Sequence, residues 1–517
     1  MANRHLFRSL IANLLPPANA RNEERAPAYA LSPEQALAQY VCTGCLNGTF
    51  YASADTQLAK IQELCGAVAP EFVAKLALYA RREAYMKDTP ALLCAVLSVS
   101  APELLEIVFP RVIDSGKMLR NFVQIVRSGV VGRKSLGSRP KRLLRAWLAE
   151  HTAEQLLRAS VGNQPSLADV IKMVHPKPKS NGEAALFGYF LGRVVDENAL
   201  PEAIRGLEAF KRGETRAVPE VPFELLTALE LGRPEWSAIA RRASWQTTRA
   251  SLNTFARHGV FADERLVARV AERLADAQAI EKARAFPYQL LAAYRAAGEE
   301  VPEAVKQALA KAAEIAVRNV PKVKGRVVVC PDTSGSMVSP VTGMRKGSTS
   351  KMRCIDVAAL VAAAVLRHNP EARVMPFANA VKKIRLDPEA ALMENAERLA
   401  ELGGGGTKCS APLAKLNAER AKVDLVIFVS DYESWVDARS GRGTATMQEW
   451  SRLRAANSQA RLVCIDVQPY GTTQACERED VLNVGGFSDA VFEVIAKFAA
   501  GELAADHWVK RIEARVL

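Results

Sequence analysis

The sequence lacks long hydrophobic segments. No uncharged apolar run in the 517 residues approaches the roughly 20 residues that a membrane-spanning helix needs. The amino terminus shows no apolar core of a secretory signal. We therefore expect a soluble, cytoplasmic protein with no membrane partner. The length exceeds what one hydrophobic core usually organises, so we expect at least two domains.

Cysteine and histidine are also scarce. The nine cysteines are scattered, and the one close pair is Cys42 and Cys45. No second pair and no spaced histidines complete the four ligands of a structural zinc site, so we expect buried, reduced thiols. The sequence shows no set of acids or histidines that forms a general base beside a two-metal centre. A metal-dependent hydrolase is therefore disfavoured, and we expect a protein that is not an enzyme.

Positive charge is abundant and unevenly distributed. The formal net charge is +13, and the first 324 residues hold 44 Lys and Arg against 33 Asp and Glu, whereas the remainder holds 25 against 23. The segment from Arg111 to Arg145 contains ten basic residues and one acid, Asp114. Such clustering favours a polyanionic partner over an ordinary solvated surface.

Up to about residue 320 the sequence shows repeated helix starts and no convincing strand pattern. The run Ser32–Gln35 fits a capping box, and helix starts with proline recur at Pro70 and Pro102. The segment Pro222–Leu226 is echoed by Pro287–Leu291, which suggests stacked helix pairs of a solenoid. We predict an all-α helical-repeat domain over residues 1–324.

After a boundary near Val320 to Gly325, short apolar strands alternate with helices, which is typical of a doubly wound, mostly parallel α/β domain. We predict this domain over residues 325–517. The predicted strands are Arg326–Cys330, Arg373–Phe377, Asp424–Ser430 and Arg461–Val467. The predicted helices include Cys354–His368, Pro412–Arg420 and Ser488–Phe498.

Oxygen-bearing side chains follow the predicted strands. The stretch VVVCPDTSGSM carries an acid and two hydroxyls at alternating positions, a glycine-rich loop delivers a threonine, and a second acid follows the strand Asp424–Ser430. Ligands collect at the carboxyl ends of such strands, and hard oxygen donors suit Mg²⁺ or Mn²⁺. We predict one divalent cation, with a coordination position open to a partner's carboxylate, at Asp332, Ser334, Ser336, Thr407 and Asp431.

The stretch DTSGS fits a metal site better than it fits a simple turn, a phosphatase motif or a phosphate-binding loop. On its own it could be a polar strand-to-helix turn, but the distant threonine and acid argue for a metal site. A phosphatase of the haloacid dehalogenase kind would need a second aspartate where Ser334 stands. A phosphate-binding P-loop would need a lysine after a suitable glycine run before the first helix, and there is none.

The set of five oxygen ligands resembles the metal-ion-dependent adhesion site of von Willebrand factor A domains. Such a domain behind a basic helical-repeat region resembles the Ro autoantigen family, whose helical part is called the TROVE domain. The resemblance spans roughly residues 30 to 500. The segments that carry it are Cys42–Tyr51, Gly132–Arg133, Ser166–Pro178, Gly405–Ser410 and Val429–Glu433.

The resemblance implies a ring of HEAT-like helix pairs, closed by the A domain, in a monomer. It also implies an RNA-binding scaffold for RNA quality control or decay, which holds a small noncoding RNA of the Y type and the single-stranded ends of misfolded RNA. An exoribonuclease, polynucleotide phosphorylase in bacterial relatives, is the implied protein partner. The family has a further base where this chain has Ala168, which bears on the RNA footprint.

The basic cluster supplies the candidate RNA-binding residues. Phosphate contacts are strong, indifferent to sequence and salt-sensitive, so Lys and Arg suit them. His175 could instead be a helix-terminal histidine packed on its own turn. The candidates are Arg127, Arg133, Lys134, Arg139, Lys141, Arg142, Lys172, His175, Lys177 and Lys179.

Two alternatives remain open at this point. The chain could be a metal-dependent protein-interaction adaptor, of the chelatase or adhesion type, whose positive charge is incidental. The basic loop with Arg345, Lys346, Lys351 and Arg353 could contact a partner or RNA, or it could be a surface insertion.

Overall fold

The computed structural model describes residues 15–44, 46–283, 287–318, 320, 322–323, 325–344, 352–437, 443–486, 488–502 and 507–517. Cys45 and the loop residues Arg345, Lys346 and Lys351 lie outside this range. The described chain forms two compact units. The α/β unit comprises residues 15–64 and 320–511, and the helical unit comprises residues 65–318 and 512–517.

The amino-terminal segment begins with two short strands and two helices. Ser32 caps its first helix, because its side chain accepts a hydrogen bond from the Gln35 amide while the Gln35 side chain accepts one from the Ser32 amide. This arrangement is the predicted capping box. The elements are β1 (Ala20–Arg21), β2 (Pro27–Ala30), α1 (Pro33–Thr43) and α2 (Ala54–Ala67).

The helical unit consists of consecutive helices that pack on their near neighbours in the chain. In α6, Ser115 caps the amino end, Gly129 ends the helix with a φ of +87°, and Phe122, Val123 and Val126 are buried on one face. The helices are α3 (Pro70–Arg82), α4 (Asp88–Ser100), α5 (Pro102–Val112), α6 (Gly116–Ser128), α7 (Ser138–Glu150), α8 (Ala153–Ala159), α9 (Leu167–Val174), α10 (Asn181–Phe190), α11 (Glu202–Lys211), α12 (Phe223–Leu226), α13 (Arg233–Arg242), α14 (Trp245–Ala250), α15 (Leu252–Arg257), α16 (Glu264–Leu274), α17 (Ala277–Ala283), α18 (Pro287–Ala296) and α19 (Glu303–Ala316).

The helix starts at Pro70 and Pro102 are confirmed by α3 and α5. Both prolines occupy a first-turn position, where a missing amide hydrogen costs nothing. The α4–α6 and α5–α7 packing gives the stacked helix pairs that the sequence suggested. Closure of these helices into a ring stays a prediction.

The α/β unit is organised around a parallel five-stranded sheet in the order β4-β3-β5-β6-β8. The three central strands are buried along nearly their whole length, as both faces of a parallel sheet are in α/β proteins. The elements are β3 (Val327–Pro331), α20 (Cys354–His368), β4 (Arg373–Val374), α21 (Leu392–Ala400), α22 (Ser410–Ala418), β5 (Leu425–Ser430), α23 (Ala445–Ala456), β6 (Arg461–Asp466), β7 (Thr472–Thr473), β8 (Val481–Gly485), α24 (Asp489–Ala499) and α25 (His507–Glu513).

The predicted α/β fold is therefore confirmed, with differences in its strands, one of which is that the short strand β7 was not predicted. The predicted strand Arg373–Phe377 is regular only over Arg373–Val374, because Pro376 has no amide hydrogen to donate, although the Phe377 amide still bonds the Pro331 carbonyl at 3.1 Å. The edge strand β8 was not predicted. Its sequence, VLNVG, is short and contains a polar residue and a glycine.

Residues before 65 belong to the α/β unit, whereas the sequence assigned them to the helical domain. β2 pairs with β7 through Tyr29 and Thr473, and the Tyr29 side chain is buried in the core beside the sheet. α1 packs against β8. These contacts join residues more than 400 positions apart in the chain, so local sequence patterns carry no signal for them.

The eight cysteines within the described range are free and buried, as expected. Among the described helices, none combines the length and the apolar character that crossing a bilayer requires.

Candidate metal site and candidate nucleic-acid surface

The two acids of the predicted metal site lie side by side at one edge of the sheet. Asp332 directly follows β3, and Asp431 directly follows β5, its neighbour. β3 lies between β4 and β5 in the sheet. The chain connects β3 to β4 on one side and then crosses to β5 on the other side, so the strand order reverses at β3. Such a switch point is where open α/β sheets bind ligands.

Hydrogen bonds hold the Asp332 carboxylate in one orientation. The Ser334 amide donates to Asp332 Oδ1 at 2.8 Å, and the Ser430 hydroxyl donates to Oδ2 at 2.5 Å. The Ser334 and Ser336 hydroxyl oxygens lie 3.3 Å apart. The structure therefore brings the acid and both hydroxyls of the DxSxS segment together in a buried loop.

The glycine loop before Thr407 is bonded to the same segment. The Gly404 amide donates to the Thr333 carbonyl, and the Gly335 amide donates to the Gly405 carbonyl, both at 2.8 Å. Gly404 and Gly405 have φ angles of +116° and +104°, which side chains other than glycine rarely allow. This geometry joins the loop that carries the buried Thr407 to the segment that carries Asp332.

Thr407 is also connected to the loop that follows β5. Its carbonyl accepts hydrogen bonds from the Val436 amide at 3.1 Å and from the Ser434 hydroxyl at 3.3 Å. All five predicted ligand residues are thus buried in three loops that are bonded to one another. Their role as metal ligands stays a prediction.

The site concentrates negative charge away from water. Asp332, Asp431 and Glu433 are at most 1% exposed. Burial raises the pKa of Asp431, and the charge of Asp332 raises it further. Burial also raises the pKa of Asp332, although the hydrogen bond from Ser430 lowers it in part. Burial raises the pKa of Glu433 as well. Within the described residues, Asp431 Oδ2 and Glu433 Oε1 have no hydrogen-bond partner.

These features fit a divalent cation. A buried carboxylate pair with an unpartnered oxygen is stabilised by a cation or by protonation, and the neighbouring hydroxyls supply neutral oxygen donors to a cation. No group of three His, Cys, Asp or Glu side chains suited to a metal occurs in the described part of the chain. An ion held here would therefore depend on Ser334, Ser336 and Thr407 as well as on the two acids.

The shifted pKa values predict how stability depends on pH when no metal is added. Because burial and Asp332 raise the pKa of Asp431 to about 7 from 3.8, the stabilising contribution of its protonated form is complete below pH 3.8 and is lost as the pH rises through 7. With chelator present, the free energy of unfolding should decrease as the pH rises from about 3.8 to about 7, by at most about 1.4 kcal/mol per pH unit for one proton, and this effect should level off above pH 7.

Urea unfolding in chelator at several pH values measures this effect. The variant Asp431→Asn should show a flatter pH dependence between about pH 3.8 and 7. In the same range Asp424→Asn, which changes an acid at the opposite end of β5, should behave as the unsubstituted chain does. An unchanged slope in Asp431→Asn would contradict the prediction.

Several residues at this edge were not among the predicted site residues, although Ser430 and Glu433 belong to a segment that carries the family resemblance. Lys382 donates hydrogen bonds to the carbonyls of Leu402 and Gly404, and it thereby holds the glycine loop. Ser430 and Glu433 lie one and two positions from Asp431, so their closeness in the sequence could have indicated that they belong to the site. Lys382 had no such signal, because it lies between loops that only the fold brings together.

The ten candidate RNA-binding residues all lie in the helical unit. Four of them are engaged by the protein itself. Arg133 donates to the carbonyls of Ser98 and Ser135, Arg139 and Arg142 both pair with Glu106, and Lys179 donates to the Ala149 carbonyl. Exposed ion pairs are worth about 0–1 kcal/mol, so their main effect is to neutralise the charge locally.

The other six are the open cations of this surface. Within the described residues, no hydrogen bond or ion pair engages their side chains. His175 ends α9 with a φ of +50°, and its ring is exposed, which is compatible with the helix-terminal role considered above as well as with contact to RNA. The six residues are Arg127, Lys134, Lys141, Lys172, His175 and Lys177.

The helical periodicity of α7 explains why some of its cations are engaged by acidic residues and others are open. Arg139 and Arg142 lie on the face that meets Glu103 and Glu106 of α5. Lys141, two residues after Arg139 and one before Arg142, projects from a different face of the helix. Folding therefore divides the basic residues of this segment between a face whose charge is neutralised by glutamates and a face whose cations are open.

Comparisons with known proteins agree with both parts of the chain. Residues 326–499 match the family model described as the Ro60 vWA domain. The chain is 25% identical over 526 aligned positions to the RNA-binding protein RO60 of Deinococcus radiodurans, with 93% of this chain and 96% of that protein covered. It is 22% identical over 253 positions to the RNA-binding protein RO60 of Caenorhabditis elegans, with 47% and 38% covered.

Among solved structures, the crystal structure of the Deinococcus radiodurans RO (RSR) protein matches with a TM-score of 0.62 and 22% identity. The match covers 91% of this chain and all of that chain. Residues 326–499 are therefore a von Willebrand factor A domain of the Ro60 type, in a chain that has the fold of a Ro protein.

Proposed function

We propose that this chain is an RNA-binding scaffold of the Ro type and not an enzyme. The observation that carries the proposal is the set of open cations, Arg127, Lys134, Lys141, Lys172 and Lys177, in the helical unit. Cations that form no ion pair or hydrogen bond within the described residues are available to phosphates, and their contacts gain affinity by releasing the counterions of the nucleic acid. The relatives named above as RNA-binding proteins support the same role.

The Ro resemblance makes the proposal more specific. The RNA partners would be a small noncoding RNA of the Y type and the single-stranded ends of misfolded RNA, in the service of RNA quality control or decay. An exoribonuclease such as polynucleotide phosphorylase would be the protein partner. Ala168 lies in α9 beside the open cations, so this chain has no base there and its RNA footprint would differ from the family's at that point.

The α/β unit would contribute a metal-dependent contact. We propose that Asp332, Ser334, Ser336, Thr407 and Asp431 hold Mg²⁺ or Mn²⁺. The ion would offer an electron-poor coordination position to a carboxylate of another protein. The buried acids and the unpartnered Asp431 oxygen support this assignment.

The second candidate function is a metal-dependent protein adaptor with no RNA role. The α/β unit favours it, because its strongest feature is the acid and hydroxyl edge rather than a basic surface. The two candidate functions predict different effects of salt concentration on the affinity for RNA. An adaptor would show no salt-dependent affinity for RNA.

The salt response tests the RNA proposal. Five phosphate contacts predict a slope of roughly −3.5 to −4.5 in a plot of log affinity against log salt concentration. Between about 50 and 200 mM salt, affinity for a structured RNA with a single-stranded 3′ tail should therefore fall about 100- to 500-fold. Fluorescence anisotropy with the labelled RNA measures it. Equal affinity at both salt concentrations would reject the proposal.

A further inference from the structure

One face of α7 lines an open cavity in the helical unit. Ser138, Lys141 and Arg145 follow one another at spacings of three and four residues, so they share a face. With Arg127 of α6 and the turn before α7, they line an open cavity of about 530 Å³. We call this the basic cavity, and the polar residues and the glycine that line it are Arg127, Ser135, Gly137, Ser138, Lys141 and Arg145.

The charge of the basic cavity has one sign. Arg127, Lys141 and Arg145 line it, and no carboxylate does. Arg145 donates a hydrogen bond from Nε to the Val174 carbonyl, which fixes the side chain. Arg127 and Lys141 are open cations. The serine hydroxyls of Ser135 and Ser138 add neutral donors. This combination suits a compact anion of more than one charge.

Hydrogen bonds from Arg133 hold the turn that forms one wall of the cavity. Arg133 donates from Nε to the Ser135 carbonyl at 2.8 Å and from Nη1 to the Ser98 carbonyl at 3.1 Å. Gly137 has a φ of +72°, and a Cβ at that position would collide with Arg133 Nη2. The wall is thus shaped before any ligand arrives, which lowers the entropic cost of binding.

A second cavity of about 600 Å³ adjoins the first, and the two share Arg127 and Met173. Val123, Pro165 and Met173 give it an apolar lining, and the side-chain amides of Gln124 and Gln164 provide hydrogen-bonding groups. The cation of Lys172 and the carboxylate of Asp169 also line it. An apolar surface with a few polar groups is what an unstacked nucleobase requires. We call this the nucleoside cavity.

We propose that the basic cavity binds a terminal phosphate monoester, with the attached nucleoside in the nucleoside cavity. The ligand class is a nucleoside monophosphate, either free or at the 5′ end of an RNA, and the second case rests on the RNA-binding function proposed above. A monoester carries almost two charges near pH 7 and has three terminal oxygens for three cations. An internal phosphodiester carries one charge and has two free oxygens.

The test compares two forms of one short single-stranded RNA, with a 5′-phosphate or a 5′-hydroxyl. The unsubstituted chain should bind the phosphorylated form about tenfold more tightly, the scale of one charge-assisted hydrogen bond. Lys141→Met should abolish this preference. Lys134→Met is the matched control, because Lys134 is also an open cation of the same segment but lines neither cavity. It should weaken binding of both forms equally.

The outcomes separate this inference from the proposed function. If both forms bind equally and with strong salt dependence, the phosphate site is rejected and the RNA proposal stands. If neither form binds, the RNA proposal fails. Preference that survives in Lys141→Met also rejects the site, and Arg127→Met provides the same test if Lys141→Met does not fold. AMP that binds about as tightly as the phosphorylated RNA would assign the site to free nucleotides, whereas AMP that competes only about tenfold or more weakly than that RNA would assign it to RNA ends.

Discussion

Replacing Arg127, Lys134, Lys141 and Lys172 together with methionine is expected to weaken RNA binding about a thousandfold at roughly 0.1 M salt. When the salt concentration is lowered tenfold from about 1 M, each phosphate contact increases the logarithm of the binding constant by about 0.7–0.9. Four contacts therefore amount to about three logarithmic units at that concentration. The slope of the salt plot should become shallower by about the same amount. Anisotropy titrations at several salt concentrations measure both quantities.

A second quadruple variant provides the matched control. Arg139, Arg142, Arg212 and Arg242 lie in the same unit, and each has a glutamate partner in Glu106, Glu197 or Glu220. Their replacement by methionine removes the same total charge. It should reduce RNA affinity about tenfold or less, because these cations are already neutralised locally. Equal losses in both variants would mean that net charge, rather than contact by the open cations, controls RNA binding.

Loss of Asp332, one of the proposed metal ligands, should have the largest effect on the α/β unit. Asp332→Ala removes the carboxylate that Ser334 and Ser430 orient, and with it half of the buried negative charge of the Asp332 and Asp431 pair. Affinity for Mg²⁺ or Mn²⁺ should fall about a hundredfold or more, since even partners outside the ligand set contribute 10- to 100-fold. Isothermal titration calorimetry with each ion measures the change.

RNA binding by Asp332→Ala should match that of the unsubstituted chain, because the candidate RNA contacts lie in the helical unit and Asp332 lies in the α/β unit. Asp424→Ala is the control. Asp424 bonds Arg326 at the amino end of β5, so its loss should leave metal affinity intact. Normal metal affinity in Asp332→Ala would reject the site. Loss of RNA binding by a folded Asp332→Ala variant would show that the two functions are coupled.

Features that depend on near neighbours in the chain were readable from the sequence. The bounds of α20, Cys354–His368, were predicted residue for residue, and the capping box at Ser32 was recognised from four letters. Asp332 and Asp431 were placed at one edge because each directly follows an apolar strand, and the carboxyl ends of parallel strands meet. Periodicity, capping and strand ends are local properties, so sequence patterns express them directly.

Features that depend on distant partners were decided by the tertiary structure alone. The sequence shows one run of ten basic residues, but only folding brings Glu106 of α5 beside Arg139 and Arg142 and leaves Lys141 open. Tyr29 joins the core of a sheet whose strands begin almost 300 residues later. By itself, the sequence determined which side chains are available and which face of its own element each occupies. Tertiary packing decided which charges are neutralised and which cavities form, because both depend on residues that the chain separates and the fold brings into contact.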